Sequence, residues 1–362
     1  MGGHTMSKKC LVTGGAGFIG CAISTLLADH FDTVVAVDNL HPQIHERASR
    51  PLALDARVKL VIGDITNEEV WSEILAQGAY DVVVHLAAET GTGQSLTEAT
   101  RHANVNVVGT TRMLDAFVRH GAMPDRIVLS SSRAVYGEGA WKDNATGTVS
   151  YPGQRPRKML EEKLWDFDGK SSLSFDARYT EPRPISIYGA TKLAQEHILR
   201  CWTQSYGTDL AILRLQNVYG PGQSLTNSYT GIVPLFARVA KGGGAIPVFE
   251  DGAITRDFVF IEDVASAISL SAINGGTSYV PIDVGSGMTT SILELAKLIS
   301  SIYGAPTPRV NGLYREGDVR HASCNIETAR QELTWEPRTS LGDGLMKLCA
   351  WLDGSALSRA HI

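Results

Sequence analysis

Short runs rich in valine and isoleucine recur through the first half of this chain, and helical stretches separate most of them. The runs are CLVTGG from Cys10, TVVAVDNL from Thr33, VKLVIGD from Val58, DVVVHLAA from Asp81 and RIVLSSS from Arg126. Between them, GFIGCAISTLLADH sets Ile19, Ile23 and Leu27 at helical spacing, and EEVWSEILAQG reads as a second helix. A third, NVNVVGTTRMLDAFVRHG, is expected to turn Val105, Val108, Leu114, Phe117 and Val118 inward. Strands that are apolar on both faces must be covered on both sides, so the pattern predicts an α/β fold. Its core is a doubly wound parallel sheet of Rossmann type.

The pattern breaks after Tyr136. Residues 138–181 mix Pro, Gly, charge and aromatics, with one short helical patch near 157–165. This excursion reads either as a lid or as a surface loop with no role. YGATKLAQEHILRCWTQSYG restores a helix and DLAILRLQNVYGPG a strand and loop, after which the segments are shorter and mixed. The expected organisation is a nucleotide-binding domain over 7–181, a catalytic helix and last sheet strand over 182–224, and a smaller C-terminal α/β substrate lobe over 225–362. The opening MGGHT is left out of this reading.

With 43% hydrophobic and 20% charged residues, the composition is that of an ordinary globular protein. A net charge of −5 offers no basic surface for nucleic acid or anionic lipid. No apolar run approaches a membrane span, and the glycine-broken LVTGGAGFIG is not the core of a signal peptide. Five scattered cysteines, never paired as C-x-x-C, fit reduced thiols in the cytoplasm. The cysteines and histidines are not read as a ligand set, so no metal is expected.

TGGAGFIG places Gly14, Gly17 and Gly20 between a strand and a helix, with Phe18 and Ile19 completing the turn. Such glycines let the backbone approach a pyrophosphate, and the helix N-terminus offers unpaired N–H groups. Asp38, next to Asn39, ends the following strand; its carboxylate would accept from an adenosine ribose and repel a 2′-phosphate, favouring NAD over NADP. Asp64, next to Ile65, would cap the adenine amino group or serve as a plain helix N-cap before Thr66 and Glu68. In SIYGATK, Tyr188 stands four residues ahead of Lys192, and none of the other tyrosines among the eleven has that spacing. One helix face would carry both, and the ammonium would lower the phenol's pKa toward use as a proton acceptor.

From Cys10 to about Leu345 the motifs fall in a familiar order: TGGAGFIG, Asp38, GDIT, HLAA, N-V-x-G-T, SSSRAVYG, YGATK, RLQNVYGPG, RDFVFIEDVA and REGDVRH. In this the chain resembles the extended short-chain dehydrogenases/reductases that act on nucleotide sugars. The resemblance implies an NAD-dependent enzyme with Tyr188 as acid/base, Lys192 as its electrostatic partner on the nicotinamide ribose, and Ser132 on the reacting sugar oxygen. It further implies that Leu86, Ala87 and Ala88 line the cofactor and that Asn106 anchors the helix beside it. Asn217, Arg256, Arg315 and Asp318 would hold the diphosphate and nucleoside ribose, with Val248 and Phe249 flanking the base. A homodimer through helices 104–119 and 188–205 follows from the same resemblance.

Within the family, a 4,6-dehydratase carries Asp and Glu after the Ser/Thr position, where this chain has Arg133 and Ala134, so dehydration is disfavoured. A 4-epimerase needs only Ser132, Tyr188, Lys192 and retained NAD. An NDP-4-ketohexose reductase would use the same residues with exchangeable NAD(P)H. LAAETGTGQS, SSSRAVYGEG and LTNSYTGIVPLFARV are most like dTDP-L-rhamnose 4-epimerases and related sugar-nucleotide 4-epimerases, which would turn Thr90, Gln94 and Ser95 toward the hexose. Relatives with a similar excursion tend to carry paired cysteines there, and this chain has none. A non-catalytic NAD-binding protein on the same fold is the alternative from another class.

Overall fold

The computed structural model describes residues 8–225, 231–274 and 280–359. Residues 226–230, which belong to the LTNSYTGIVPLFARV motif, therefore lie outside the described residues. The chain forms two compact units, each drawn from separate parts of the sequence. The first comprises 1–131, 191–214 and 265–282, and the second 132–190, 215–264 and 283–362.

A seven-stranded sheet runs in the order Ile282–Val284, Asp209–Leu215, Arg126–Ser132, Val82–His85, Lys9–Thr13, Thr33–Asp38, Lys59–Ile62. From Arg126–Ser132 to Lys59–Ile62 each neighbouring pair is parallel. Strand order reverses between Lys9–Thr13 and Val82–His85, the kind of place where an open α/β sheet leaves a crevice beyond its carboxyl ends. In the first unit Leu11, Val35, Val83, Ile127 and Ile212 pack with Trp71, Leu114 and Phe117 into one core. Trp71 and Phe117 meet edge to face at 6.0 Å, and the Trp71 indole donates to Ile65 O at 2.7 Å.

The expected inward face of the third helix needs correction. Val108 and Val118 are exposed, while Met113, Leu114, Ala116 and Phe117 are buried. Residues Asn104–Val108 form a π-helical turn before the α-helix Gly109–His120. Leu114 and Phe117 thus face inward as expected, and Val108 and Val118 lie outside the buried stripe.

In the second unit the excursion is not structureless. Trp141–Asp143 pairs antiparallel with both Val149–Ser150 and Lys170–Ser172, and a short helix spans Arg157–Glu161. Asn217–Tyr219 runs parallel to Phe258–Phe260, and Thr255–Arg256 lies between Thr290–Ser291 and His321–Ala322. Helix Ile292–Tyr303 begins with a capping box in which Ser291 and Glu294 satisfy each other's backbone N–H. Among the described residues, no helix is long and apolar enough to cross a membrane.

Candidate active site

The candidate residues divide between the two units. In the first, the glycine turn opens helix Phe18–Ala28, with Gly17 at its N-cap. Gly14 has φ +66°, and a Cβ there would lie 2.8 Å from the Ala87 backbone. Only glycine lets the turn and the strand end at Leu86–Ala88 come this close. A Cβ on Gly20 would lie 2.5 Å from the Gly15 backbone, so the third glycine seats the helix on its own turn. A cradle that any side chain would fill fits a dinucleotide pyrophosphate.

Asp38 is buried and already holds two backbone groups: Oδ2 accepts from Ala16 N–H at 3.0 Å and Oδ1 from Leu40 N–H at 2.9 Å. The carboxylate therefore braces the glycine turn. Replacing Asp38 by alanine is expected to weaken NAD binding about tenfold or more, and NADP binding less, because repulsion of a 2′-phosphate disappears with the charge. Equal losses, read by titrating each cofactor, would overturn the preference for NAD. His41 and His45 stand four residues apart, a spacing a metal could use, which the sequence reading passed over. Here His41 Nδ1 accepts from Gln43 N–H at 3.2 Å, and His45 Nε2 lies 3.6 Å from Asp38.

Asp64 does not cap the next helix; Asn67 does. Asp64 Oδ1 instead accepts from Thr66 N–H and Oγ1, and Oδ2 from Asn39 Nδ2 at 3.1 Å. Burial raises its pKa, but these hydrogen bonds outweigh burial and hold it below the usual carboxylate value. Asn106 is fully buried. Its Oδ1 accepts from Glu89 N–H at 2.7 Å, and its Nδ2 donates to Glu89 O and to Thr191 Oγ1. It thus ties the loop after Val82–His85 to the helix that carries Lys192. Along that loop Thr90 is exposed. Ser95 is fully buried with its hydroxyl on Thr92 O, and Gln94 is buried and bonded to Gln43 and Glu98. Those two side chains support the loop instead of presenting an open polar surface to a hexose.

Lys192 is buried, and its Nζ donates to Gln195 Oε1 at 2.9 Å. Gln195 Nε2 reaches Thr110 Oγ1 at 2.8 Å and His85 Nε2 at 3.2 Å. His85 Nδ1 meets Thr13 Oγ1 at 2.7 Å, and Thr13 Oγ1 accepts from Ala87 N–H. Burial, with Lys192 nearby, pushes His85 down to about 3, so the imidazole is neutral. Burial pulls Lys192 down to about 7 against the opposing pull of Glu196. Sequence reasoning missed His85, Thr110 and Gln195; the His in HLAA and the Thr in N-V-x-G-T were the available signals.

In the second unit, Ser132 caps the 3-10 turn Arg133–Tyr136 by accepting from Ala134 N–H at 3.1 Å. Ser132 also hydrogen-bonds Tyr188. Tyr188 begins helix Ile187–Tyr206, on which Lys192 follows one turn later. Burial lifts the Tyr188 phenol above its ordinary value, opposed by the Ser132 hydrogen bond and by the charge of Arg133. The expectation of a lowered phenol thus fails in the free protein. Desolvation wins there, and it also pulls Lys192 down to about 7, which weakens that residue as a fixed cation.

Arg133 Nε donates to Asn217 Oδ1 at 2.7 Å. Arg256 is buried and pairs with Asp318 at 2.9 Å. Arg315 is exposed with its guanidinium 5.0 Å from the centre of the Phe249 ring. Val248 is fully buried, its strand paired with Arg309–Val310, so of the two residues assigned to the base only Phe249 has an open side.

The glycine turn stands at the switch point of a parallel sheet, and a serine-bonded tyrosine precedes a lysine by one helical turn. The model of the NAD dependent epimerase/dehydratase family matches residues 10–159 and 168–284. The chain is 57% identical over 345 residues, 95% of each chain, to the dTDP-L-rhamnose 4-epimerase of Burkholderia thailandensis. Among solved structures it is similar to the UDP-glucose 4-epimerase of Thermotoga maritima with UDP-glucose, at TM-score 0.78 and 28% identity, covering 96% of this chain and 99% of that one. The UDP-glucose 4-epimerase of Thermus thermophilus in complex with NAD gives TM-score 0.74 and 26% identity with the same coverage. The chain belongs to the NAD dependent epimerase/dehydratase family, and its cofactor is NAD.

Proposed function

We propose that this chain inverts C4 of a nucleotide-diphosphate hexose, dTDP- or UDP-linked, through a transient 4-keto sugar. Tyr188 takes the proton of the C4 hydroxyl as that carbon is oxidised and returns it when the ketone is reduced on its other face. Ser132 holds the same oxygen, and Lys192 supplies positive charge one helical turn away. NAD⁺, when bound, supplies the acceptor and then the donor for the hydrogen on C4. Arg256, Arg315 and Asn217 would hold the diphosphate, where guanidinium forks suit anionic oxygens, and Asp318 the nucleoside ribose. Phe249 would flank the base.

The observation that carries this reading is the Ser132–Tyr188 hydrogen bond, with Arg133 and Ala134 standing where a dehydratase has its acids. Incubating the protein with dTDP-, UDP-, GDP- and CDP-sugars and following the products by NMR tests it. The C4 epimer should form without added reductant. Consumption of NAD(P)H one for one with product would replace the reading by a reductase, and no turnover on any sugar would end it. Within the same reading the protein works as a homodimer through helices 104–119 and 188–205, for which the exposed Val108 and Val118 offer apolar surface. A single-chain mass in sedimentation would remove the dimer. A reducing cytoplasm suits its five free cysteines.

A further inference from the structure

Arg133 occupies a place that its position in the sequence does not explain. It follows Ser132 directly, on the turn that the Ser132 hydroxyl caps. That turn sits tightly on the start of the catalytic helix: a Cβ on Gly189, next to Tyr188, would lie 2.4 Å from Ala134 O. The guanidinium is half-buried and fixed at one edge by the 2.7 Å hydrogen bond from Nε to Asn217. Asn217 is itself fixed, because its backbone N–H donates to Asp257 O at 3.0 Å. Among the described residues the two Nη groups of Arg133 have no hydrogen-bond partner.

The charged groups around it are few. Arg256 opposes its charge, while Asp318, Tyr188 and Glu138 favour it, and burial together with Arg256 brings the guanidinium down to about 9. It therefore stays charged at neutral pH. Arg256 is itself paired with Asp318. The anchor on Asn217 holds Arg133 in place against the push from Arg256.

We propose that Arg133 is a positioning residue for Tyr188: locked by Asn217 on the Ser132 turn, its guanidinium holds positive charge beside the phenol and favours the ionised form that accepts the substrate proton. The charge of Arg133, with the Ser132 hydrogen bond, favours the ionised phenol against burial. The inference rests on the proposed acid/base role of Tyr188, but its effect is readable without any sugar.

The test is the ultraviolet titration of the Tyr188 phenol in the NAD-loaded protein. The chain has eleven tyrosines, so the Tyr188→Phe protein is subtracted to isolate the signal. Arg133→Gln should raise the midpoint by about one pH unit, and the acid limb of turnover should move up with it. Arg133→Lys, which keeps the charge but not the fork, should stay closer to the native midpoint than any neutral variant. Arg133→Met replaces Arg133→Gln if the latter does not fold. A midpoint that does not move, whether or not KM rises, would make Arg133 only a substrate clamp and overturn the proposal. Absence of epimerase activity with a shifted midpoint would instead count against the assigned reaction and leave this role standing.

Discussion

Tyr188→Phe is expected to lower epimerisation by about two to four orders of magnitude, the usual contribution of a positioned acid/base group. The substitution removes one oxygen and keeps the ring, so packing at the start of helix Ile187–Tyr206 survives. The lost hydrogen bond to Ser132 costs about 1 kcal/mol, too little to unfold a domain. The glycine turn, Asp38 and Asn106 lie in the other unit, so NAD content should match the native protein. Initial rates by NMR, with bound NAD measured on the same sample, separate the two effects. Turnover within threefold of native would remove Tyr188 from the chemistry. The pH dependence has a definite sign. Burial holds the phenol above its ordinary value, so the proton-accepting form grows as pH rises, while Lys192, at about 7, loses its charge over the same range. Activity in the free-enzyme regime should climb from acid pH and flatten above neutrality.

Local pattern carried the sheet. Valine-rich runs bounded by glycine mark the strands from Lys9–Thr13 to Arg126–Ser132, and glycine spacing alone marks the tight turn between the first strand and its helix. What stayed hidden depends on residues distant in sequence. Gln195 next to His85 and Thr110, or Arg133 on Asn217, are pairs that no periodicity encodes. On Gly109–His120 the inward face of Leu114 and Phe117 was legible, while Val118 at its margin is exposed. The excursion 138–181 looked like a loop because its strands are only two or three residues long. Its anchoring charges also lie far from their partners: Arg155 meets Glu250, Asp166 meets Arg320, and Glu138 accepts from Arg320 N–H.

That charge network decides whether the excursion is a lid. Arg155 forks onto Glu250 at 2.9 and 2.8 Å and donates to Asp318 O. Arg320 reaches Glu250, Asp251 and Asp166, and His321 Nε2 lies 2.9 Å from Asp166. The Glu138, Arg155, Glu250 and Arg320 side chains are each 1% exposed. Burial pushes Glu138 up to about 7 against Arg320 N–H, Arg155 and Arg256, which limits the negative charge inside at neutral pH. A segment fastened in this way to Glu250 and 318–321 is a brace, and opening it would strand those charges. Arg320→Met removes the cation shared by three carboxylates, and breaking a buried pair from one side costs about 3–5 kcal/mol. Arg157→Ala breaks only contacts of a 71% exposed side chain with Glu161 and Glu316, which solvent and salt screen. Denaturant unfolding should rank the two in that order, and limited proteolysis of Arg320→Met should cut first within 138–181. If Arg320→Met were as stable as Arg157→Ala, with the excursion still protected, the brace would have to be given up and a lid readmitted.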